Sequence, residues 1–301
     1  MTPSNATESP EPAAAIEPEA YTEEYFRSSV EGHEEFAASA GRRVSARMAR
    51  ALALAAPEAG QRVLDIGCGR GEMVLQSVLR GAEAVGIDYA GAALGVAGQA
   101  LDGRDVQARP SLARMDATRL AFHGETFDVA FMLDFVEHVT QPDLEEAFGE
   151  VARALKHRGR LIIHTSPNRV FEDMVYRHWV RNVHRLVLGI AGPFGLDKGR
   201  VVNRWFLPTG PLPPHNEYER RLHVNPQSAG SLRAALEEQG LHVKRIDHWE
   251  PPPGSFFGPE LRWHNFWLAV LDGVRFLRPF SRFPPLSRLF SNHIWVVAEK
   301  P

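Results

Sequence analysis

The 301-residue sequence has a single cysteine, Cys68, so an internal disulfide and a multi-cysteine metal site are both excluded, and a reducing compartment is expected. No excess of positive charge is present: the formal net charge is -3 and the pI near 6.5. A general electrostatic attraction to phosphate backbones is therefore missing, and nucleic acid is disfavoured as a partner. The first residues lack the basic-then-apolar layout of a signal peptide, and no apolar run reaches the ~18 residues that span a bilayer. The expected location is the cytoplasm, with peripheral membrane contact left open. Apolar residues at 44% and charged residues at 24% match a chain that folds around a core. The length allows one enlarged domain or a domain with a cap.

Residues 1–20 offer almost nothing to bury, and up to Phe36 there are nine Glu against one Arg. The expectation is a disordered acidic tail over 1–20, followed by N-terminal helices over 21–57, including an amphipathic helix from Val44 to Ala56. From Arg62 short apolar runs alternate with helix-length segments. Val63–Ile66, Ala84–Ile87, Phe127–Leu133 and Leu161–His164 read as buried parallel strands, and Glu72–Leu79, Ala90–Leu101 and Leu144–Leu155 as helices. That alternation predicts βαβ units in a doubly wound α/β core over 58–168. It stops for a cap insertion at 169–223 and returns within 224–301 as a helix, Ser228–Gln239, and strands His242–Trp249 and Ile294–Glu299. A second insertion, 251–292, interrupts this C-terminal part.

The residues with the clearest chemistry are Asp65-Ile66-Gly67-Cys68-Gly69-Arg70-Gly71-Glu72. A strand here enters three alternating glycines and then a helix, so the backbone turns tightly and a ligand can lie against it. The spacing is G-x-G-x-G, whereas a dinucleotide fingerprint needs G-x-G-x-x-G; a smaller ligand without a pyrophosphate fits better. Asp88 ends the second strand, where a carboxylate can accept from both ribose hydroxyls. Asp116 and Ala117 stand where a third strand should end, and Asp116 could accept from an adenine amino group. Cys68 has no identifiable paired base and reads as a small packing residue.

In this order, a glycine loop followed by strand-end acids resembles the class I S-adenosylmethionine-dependent methyltransferases over about 62–168, with weaker continuation through 224–249 and 293–299. The resemblance implies S-adenosylmethionine as cofactor and a Rossmann-like, doubly wound seven-stranded, mostly parallel sheet whose antiparallel strand is Ile294–Glu299. It also implies that Asp65, Gly67 and Gly69 hold the methionine part, Gly71 admits the helix, Asp88 takes the ribose, Tyr89 flanks the adenine, and Asp116 and Ala117 meet its edge. Leu133-Asp134-Phe135-Val136-Glu137-His138-Val139 is similar to the E-x-x-E-H-V stretch of ubiquinone-biosynthesis O-methyltransferases, with Asp134 in place of the first Glu. This adds Asp134 to the cofactor site and makes His138 the candidate base, since an imidazole suits proton removal near neutrality. Asp134, Glu137 and His138 would share a helix face and could bind a divalent cation, but ordinary helix spacing accounts for them equally well, and no metal is assigned. An N/D-P-P-Y/F motif, usual in enzymes that methylate nucleobase or amide nitrogens, is absent, which together with the acidic balance favours oxygen, and after it carbon, in a small molecule as the methylated atom.

The insertion 169–223 holds nine Lys/Arg against five acids, and 251–292 interleaves Phe and Trp with Arg. Such surfaces suit a phosphate-bearing amphiphile or a membrane interface, although a packed cap core accounts for the aromatics as well. His215 and His223, near Arg220 and Arg221, could reach the acceptor. The expected function is methyl transfer to a hydroxyl of a small-molecule or lipid-linked acceptor, such as a glycan, a quinone-like phenol or a secondary metabolite. The alternatives are a protein or RNA acceptor and a protein that binds the cofactor without catalysis.

Overall fold

The computed structural model describes residues 15–30, 32–102, 110–180, 182, 221–249, 278–281 and 284–301. The buried apolar runs form a seven-stranded sheet in the order β3-β2-β1-β4-β5-β7-β6. Its strands are β1 (Arg62–Ile66), β2 (Glu83–Asp88), β3 (Ser111–Arg114), β4 (Phe127–Leu133), β5 (Leu155–Thr165), β6 (His242–Asp247) and β7 (Ile294–Glu299). All pairs are parallel except those of β7 with β5 and with β6. The order reverses between β1 and β4, where loops leaving the strands diverge and open a crevice at their carboxyl ends. β5 begins earlier than the apolar run Leu161–His164 implies, because a bulge between Phe127 and Val129 of the partner strand admits the polar stretch from Lys156 to Arg160.

Helices α1 (His33–Ser39), α2 (Ala46–Ala55), α3 (Glu72–Val78), α4 (Gly91–Leu101), α5 (Gln141–Ala154) and α6 (Ala229–Glu238) cover the sheet. Alternation along each strand divides the core. Leu64, Ile66, Ala130 and Met132 pack with Leu144, Phe148, Val151, Leu232 and Leu236 of α5 and α6, while Val63, Val129, Phe131 and Ile162 pack with Ala51, Leu52, Val74 and Val78 of α2 and α3. Local signals set the helix starts. Ser45 and Thr140 accept from the backbone N–H groups of Met48 and Asp143, and Ser228 with Ser231 forms a reciprocal capping box; such caps contribute about 1 kcal/mol each.

The N-terminal region departs from expectation at its end. Residues 1–14 lie outside the described residues, but 15–20, assigned to the solvated tail, include a 3₁₀ turn at Pro18–Ala20. A π-helical segment, Tyr25–Ser29, follows. Tyr21 and Phe26 are buried against Ala90, Ala93 and Val96 of the α4 region and against Leu222, with Ile16 packed beside them. These apolar side chains, spaced among the glutamates, draw the segment across the carboxyl end of the sheet. Most of the insertions 169–223 and 251–292, with His215, Arg220 and most of the Arg and aromatic residues of 251–292, lies outside the described residues. A second π-helical segment, Phe171–Val180, packs through Phe171, Val175 and Tyr176 on Leu289 and Phe290. Phe148 is fully buried between α5 and the sheet, so Phe148→Ala should destabilise the protein by about 3–5 kcal/mol in urea unfolding; a loss under about 1 kcal/mol would contradict this packing.

Candidate functional site

At the switch point β1 passes into the loop Gly67 to Gly71, whose three glycines all have positive φ: +68°, +50° and +76°. Two of them also admit close neighbours. A Cβ on Gly67 would lie 3.0 Å from Phe135 Cδ2, and one on Gly71 3.0 Å from the Ala97 Cβ of α4. Any other residue would be strained by both backbone and contact. Asp88, at the end of β2, braces this turn: its carboxylate accepts from Gly69 N–H at 3.1 Å and Ala90 N–H at 2.9 Å.

The loop forms one wall of a cavity of about 900 Å³. Asp65, Gly67, Gly69, Asp88, Tyr89, Asp116, Ala117, Asp134 and His138 all line it, so nine of the ten residues singled out from the sequence converge on one space. Gly71 stands behind them, where it admits α4. Asp116 is held by an Asx turn, accepting from Thr118 N–H and Oγ1 at 2.9 Å each. The Tyr89 hydroxyl donates to the Ile16 carbonyl at 3.3 Å, and burial pushes its pKa up to about 12. The N-terminal segment adds Ile16, Tyr21, Tyr25 and Phe26 to the lining. It is pinned by the buried Arg70, which donates to the carbonyls of Phe26 and Val30 at 3.0 and 3.3 Å, pairs with Glu72 and lies over the Phe36 ring.

The expected helix face of Asp134, Glu137 and His138 does not form. Asp134 has φ +52° and only Val136–His138 make a short 3₁₀ turn. Asp134 turns away instead: its two oxygens take Arg47 of α2 and His164 Nδ1 of β5, the latter at 2.5 Å. Burial opposes its ionisation, but Arg47 and His164 outweigh burial and hold its carboxyl well below the ordinary range. Glu137 is buried, accepts from Thr165 Oγ1 at 2.9 Å, and is raised to about 8, first by burial and then by Asp134. The Glu137 carbonyl accepts from Asn225 N–H, which brings His223 beside His138, ring centroids 4.9 Å apart. Donor atoms of Glu137, His138 and His223 lie within 4.8 Å of one another; His223 thus stands where Asp134 was expected.

His138 Nδ1 lies 3.0 Å from the Leu222 carbonyl and 3.2 Å from the Tyr21 hydroxyl. A carbonyl only accepts, so Nδ1 carries the proton and Nε2 keeps its lone pair. Burial lowers the imidazole pKa to about 4, which keeps the ring neutral at pH 7. Arg47, Arg70, Tyr21, His164 and His293 were not legible as site residues. Arg70 alone had a signal, its place in the glycine loop.

Asp65 decides which ligand suits the cavity. Its carboxylate is buried and accepts no hydrogen bond from the described residues, and burial, then Asp88 and Glu72, push its pKa up to about 8. A cationic group placed there would stabilise the ionised form, whereas a pyrophosphate would add to the repulsion. The carboxyl present therefore fits a ligand that carries a cationic group, as S-adenosylmethionine does.

Comparison with known proteins agrees with this geometry. A methyltransferase-domain family model matches residues 64–163. The demethylmenaquinone methyltransferase of Thermus thermophilus is 32% identical over 151 residues, covering 48% of this chain and 67% of that protein. The ubiquinone biosynthesis O-methyltransferase of Azoarcus is 36% identical over 118 residues, covering 39% of this chain and 49% of that one, so the match spans only about half of this second relative. Among solved structures, an S-adenosylmethionine-dependent methyltransferase from Mesorhizobium loti superposes with TM-score 0.51 at 18% identity, covering 85% and 98% of the two chains; at that identity the likeness concerns the fold. The chain belongs to the class I S-adenosylmethionine-dependent methyltransferases, with S-adenosylmethionine as the family's cofactor.

Asp65 has a folded-state pKa above its unfolded value, so between about pH 4 and 8 the folded protein binds the extra proton and stability falls as pH rises. Asp65→Asn should therefore stabilise the cofactor-free protein at pH 8 by at least about 1 kcal/mol, with the gain shrinking towards pH 5, while weakening cofactor binding at least ~10-fold. Thermal melts and calorimetry across that range check both; a destabilised variant at pH 8 would remove the buried-charge argument.

Proposed function

We propose that the protein transfers a methyl group from S-adenosylmethionine to a hydroxyl oxygen of a small-molecule or lipid-linked acceptor. The observation that carries this reading is the meeting in one cavity of the glycine-loop wall and the neutral imidazole of His138. Two relatives named for quinone-type methylation support a small acceptor.

The cofactor supplies an electrophilic methyl on a sulfonium, whose departure needs no further help. The chain's part is to bind, orient and exclude water. In this reading Asp65, with the loop Gly67 to Gly71 behind it, receives the methionine end. Asp88 keeps lone pairs for the ribose beyond those used on Gly69 and Ala90, and Tyr89, Asp116 and Ala117 enclose the adenine. Asp134, committed to Arg47 and His164, acts on the site through those partners. His138 turns Nε2 to the acceptor hydroxyl and receives its hydrogen. Tyr21 and Phe26, pinned through Arg70, shield the reacting atoms from water. A buried, preorganised surround of this kind would hold the acceptor hydroxyl in place and keep water out.

Among the described residues no helix is long and apolar enough to cross a membrane. Purified protein, S-adenosylmethionine with a labelled methyl, and host extract divided into aqueous small molecules, organic-extractable lipids and macromolecules test the proposal. Label is expected in one of the first two fractions. Label confined to protein or RNA, removed by protease or nuclease, would overturn it. With the labelled fraction as substrate, His138→Ala should lower turnover by roughly 100-fold at unchanged cofactor affinity.

A further inference from the structure

Among the described residues six large apolar side chains are exposed, and five of them, Val170, Met174, Trp179, Phe280 and Leu286, stand on two stretches of chain that pack together. The first three belong to the π-helical segment Phe171–Val180 and the residue before it. Hydrogen bonding from i to i+5 widens such a turn, so Val170, Met174 and Trp179, spaced by four and five, fall on one side. The adjacent side, with Phe171, Val175 and Tyr176, is packed on Leu289 and Phe290. Phe280 and Leu286 stand at the short helices Arg278–Ser281 and Ser287–Phe290, where the Phe280 ring lies 5.4 Å from that of Phe290. Met174 at 56% and Trp179 at 44% exposed thus continue an apolar stripe whose other half is already packed.

Neither side chain gains from water, and apolar side chains gathered on one face mark a surface that meets an apolar partner. The charges in the same two stretches are of one sign. From Met174 to Leu196 the sequence has three Arg and no acid, and from Gly273 to Ala298 four Arg and no acid, in a chain of net charge -3. Arg177, His178 and Arg288 are exposed, and the preceding acid, Asp173, faces Arg169 at 3.8 Å. Apolar side chains with a Trp among them, accompanied by guanidinium groups, match the edge of a bilayer, where acyl chains meet phosphates. A second copy of this chain fits less well, because a two-fold contact would set the same positive charges against one another.

We propose that this face docks on a membrane surface that carries anionic lipid, with Met174, Trp179 and Phe280 entering the acyl boundary and Arg177 and Arg288 meeting lipid phosphates. Guanidinium groups donate to phosphate oxygens as a planar fork, and their apolar stems lie along the chains beneath. Phe171, at the start of the π-helical segment, lines the cavity, and so does Asn292, two residues beyond the helix Ser287–Phe290. The docked face therefore adjoins the cavity. This docking goes beyond the methyl-transfer reading and does not depend on it.

Sedimentation of the whole chain with vesicles tests the proposal, using phosphatidylcholine alone and phosphatidylcholine mixed with phosphatidylglycerol, with no methyl donor or acceptor present. Binding to the mixed vesicles should be at least about 10-fold tighter and should weaken as salt rises. Arg177→Glu combined with Arg288→Glu should lower that affinity at least ~10-fold. Met174→Ser combined with Trp179→Ser should do the same, whereas Leu79→Ser, at the sixth exposed apolar side chain, should leave it unchanged. No binding by the wild-type protein, equal binding to both kinds of vesicle, or binding that survives the loss of Met174 and Trp179 would overturn the proposal. So would a dimer, seen by analytical ultracentrifugation without vesicles, that Met174→Ser with Trp179→Ser dissociates, since the face would then belong to a second copy. Vesicle binding and methyl labelling are read separately, so failure of either leaves the other to be judged by its own result.

Discussion

Crowding of buried carboxyl groups at the carboxyl end of the sheet, which burial resists ionising, is the constraint on which the site depends. Asp65, Glu72, Asp88 and Glu137 are buried there, and burial raises the pKa of every one of them. Two buried arginines face them. Arg70 is spent on Glu72 and on the carbonyls of the N-terminal segment, and Arg47 on Asp134. Among the described residues no positive charge offsets Asp65. Burying a carboxylate without a partner is costly, and a cationic ligand removes that cost as it binds. The same imbalance that destabilises the empty protein gives the site its preference for a cation over a pyrophosphate.

The other parts of the site follow from how the chain manages this edge. Glycines at positive φ let β1 turn back so that Asp65 and the loop border the same space, and Asp88 fixes the turn by accepting from Gly69. Arg70, inside that loop, carries the ordering outward: by binding the carbonyls of Phe26 and Val30 it couples the covering segment to the turn it covers. On the other side, Arg47 of α2, Asp134 after β4 and His164 of β5 tie three elements together through one carboxylate. Asp134→Ala would leave Arg47 buried without its carboxylate, so a loss of stability and a loss of function are expected together at this position.

The sequence made the sheet legible because strand and helix alternate with clear apolar periods from Arg62 to Thr165. Three alternating glycines directly after a strand marked the tight, ligand-facing turn, since a side chain at those positions would meet backbone strain. Nine of the ten residues singled out for the site line the cavity for a related reason, each standing at a strand end or next to one. The misreadings have physical causes. Asp134, Glu137 and His138 have helical spacing, but the chain leaves the helical region at Asp134 to reach Arg47 and His164, which no local pattern reports. Residues 15–20 look solvated by composition, yet Ile16 and the aromatics that follow find an apolar surface on α4. His164 and His293 are 129 residues apart in sequence and meet only because β7 inserts antiparallel beside β5. Such pairings belong to topology and leave no mark on either segment.

If Asp65 lacks a cation until the cofactor arrives, the arrival must change its protonation. Calorimetric titration of the protein with S-adenosylmethionine at pH 7.5, repeated in buffers of differing ionisation enthalpy, measures that change. Binding should be accompanied by net proton release, as the bound cation returns Asp65 from its raised pKa to the ionised form. Binding with no proton exchange, or with proton uptake, would contradict the charge imbalance on which the site is built.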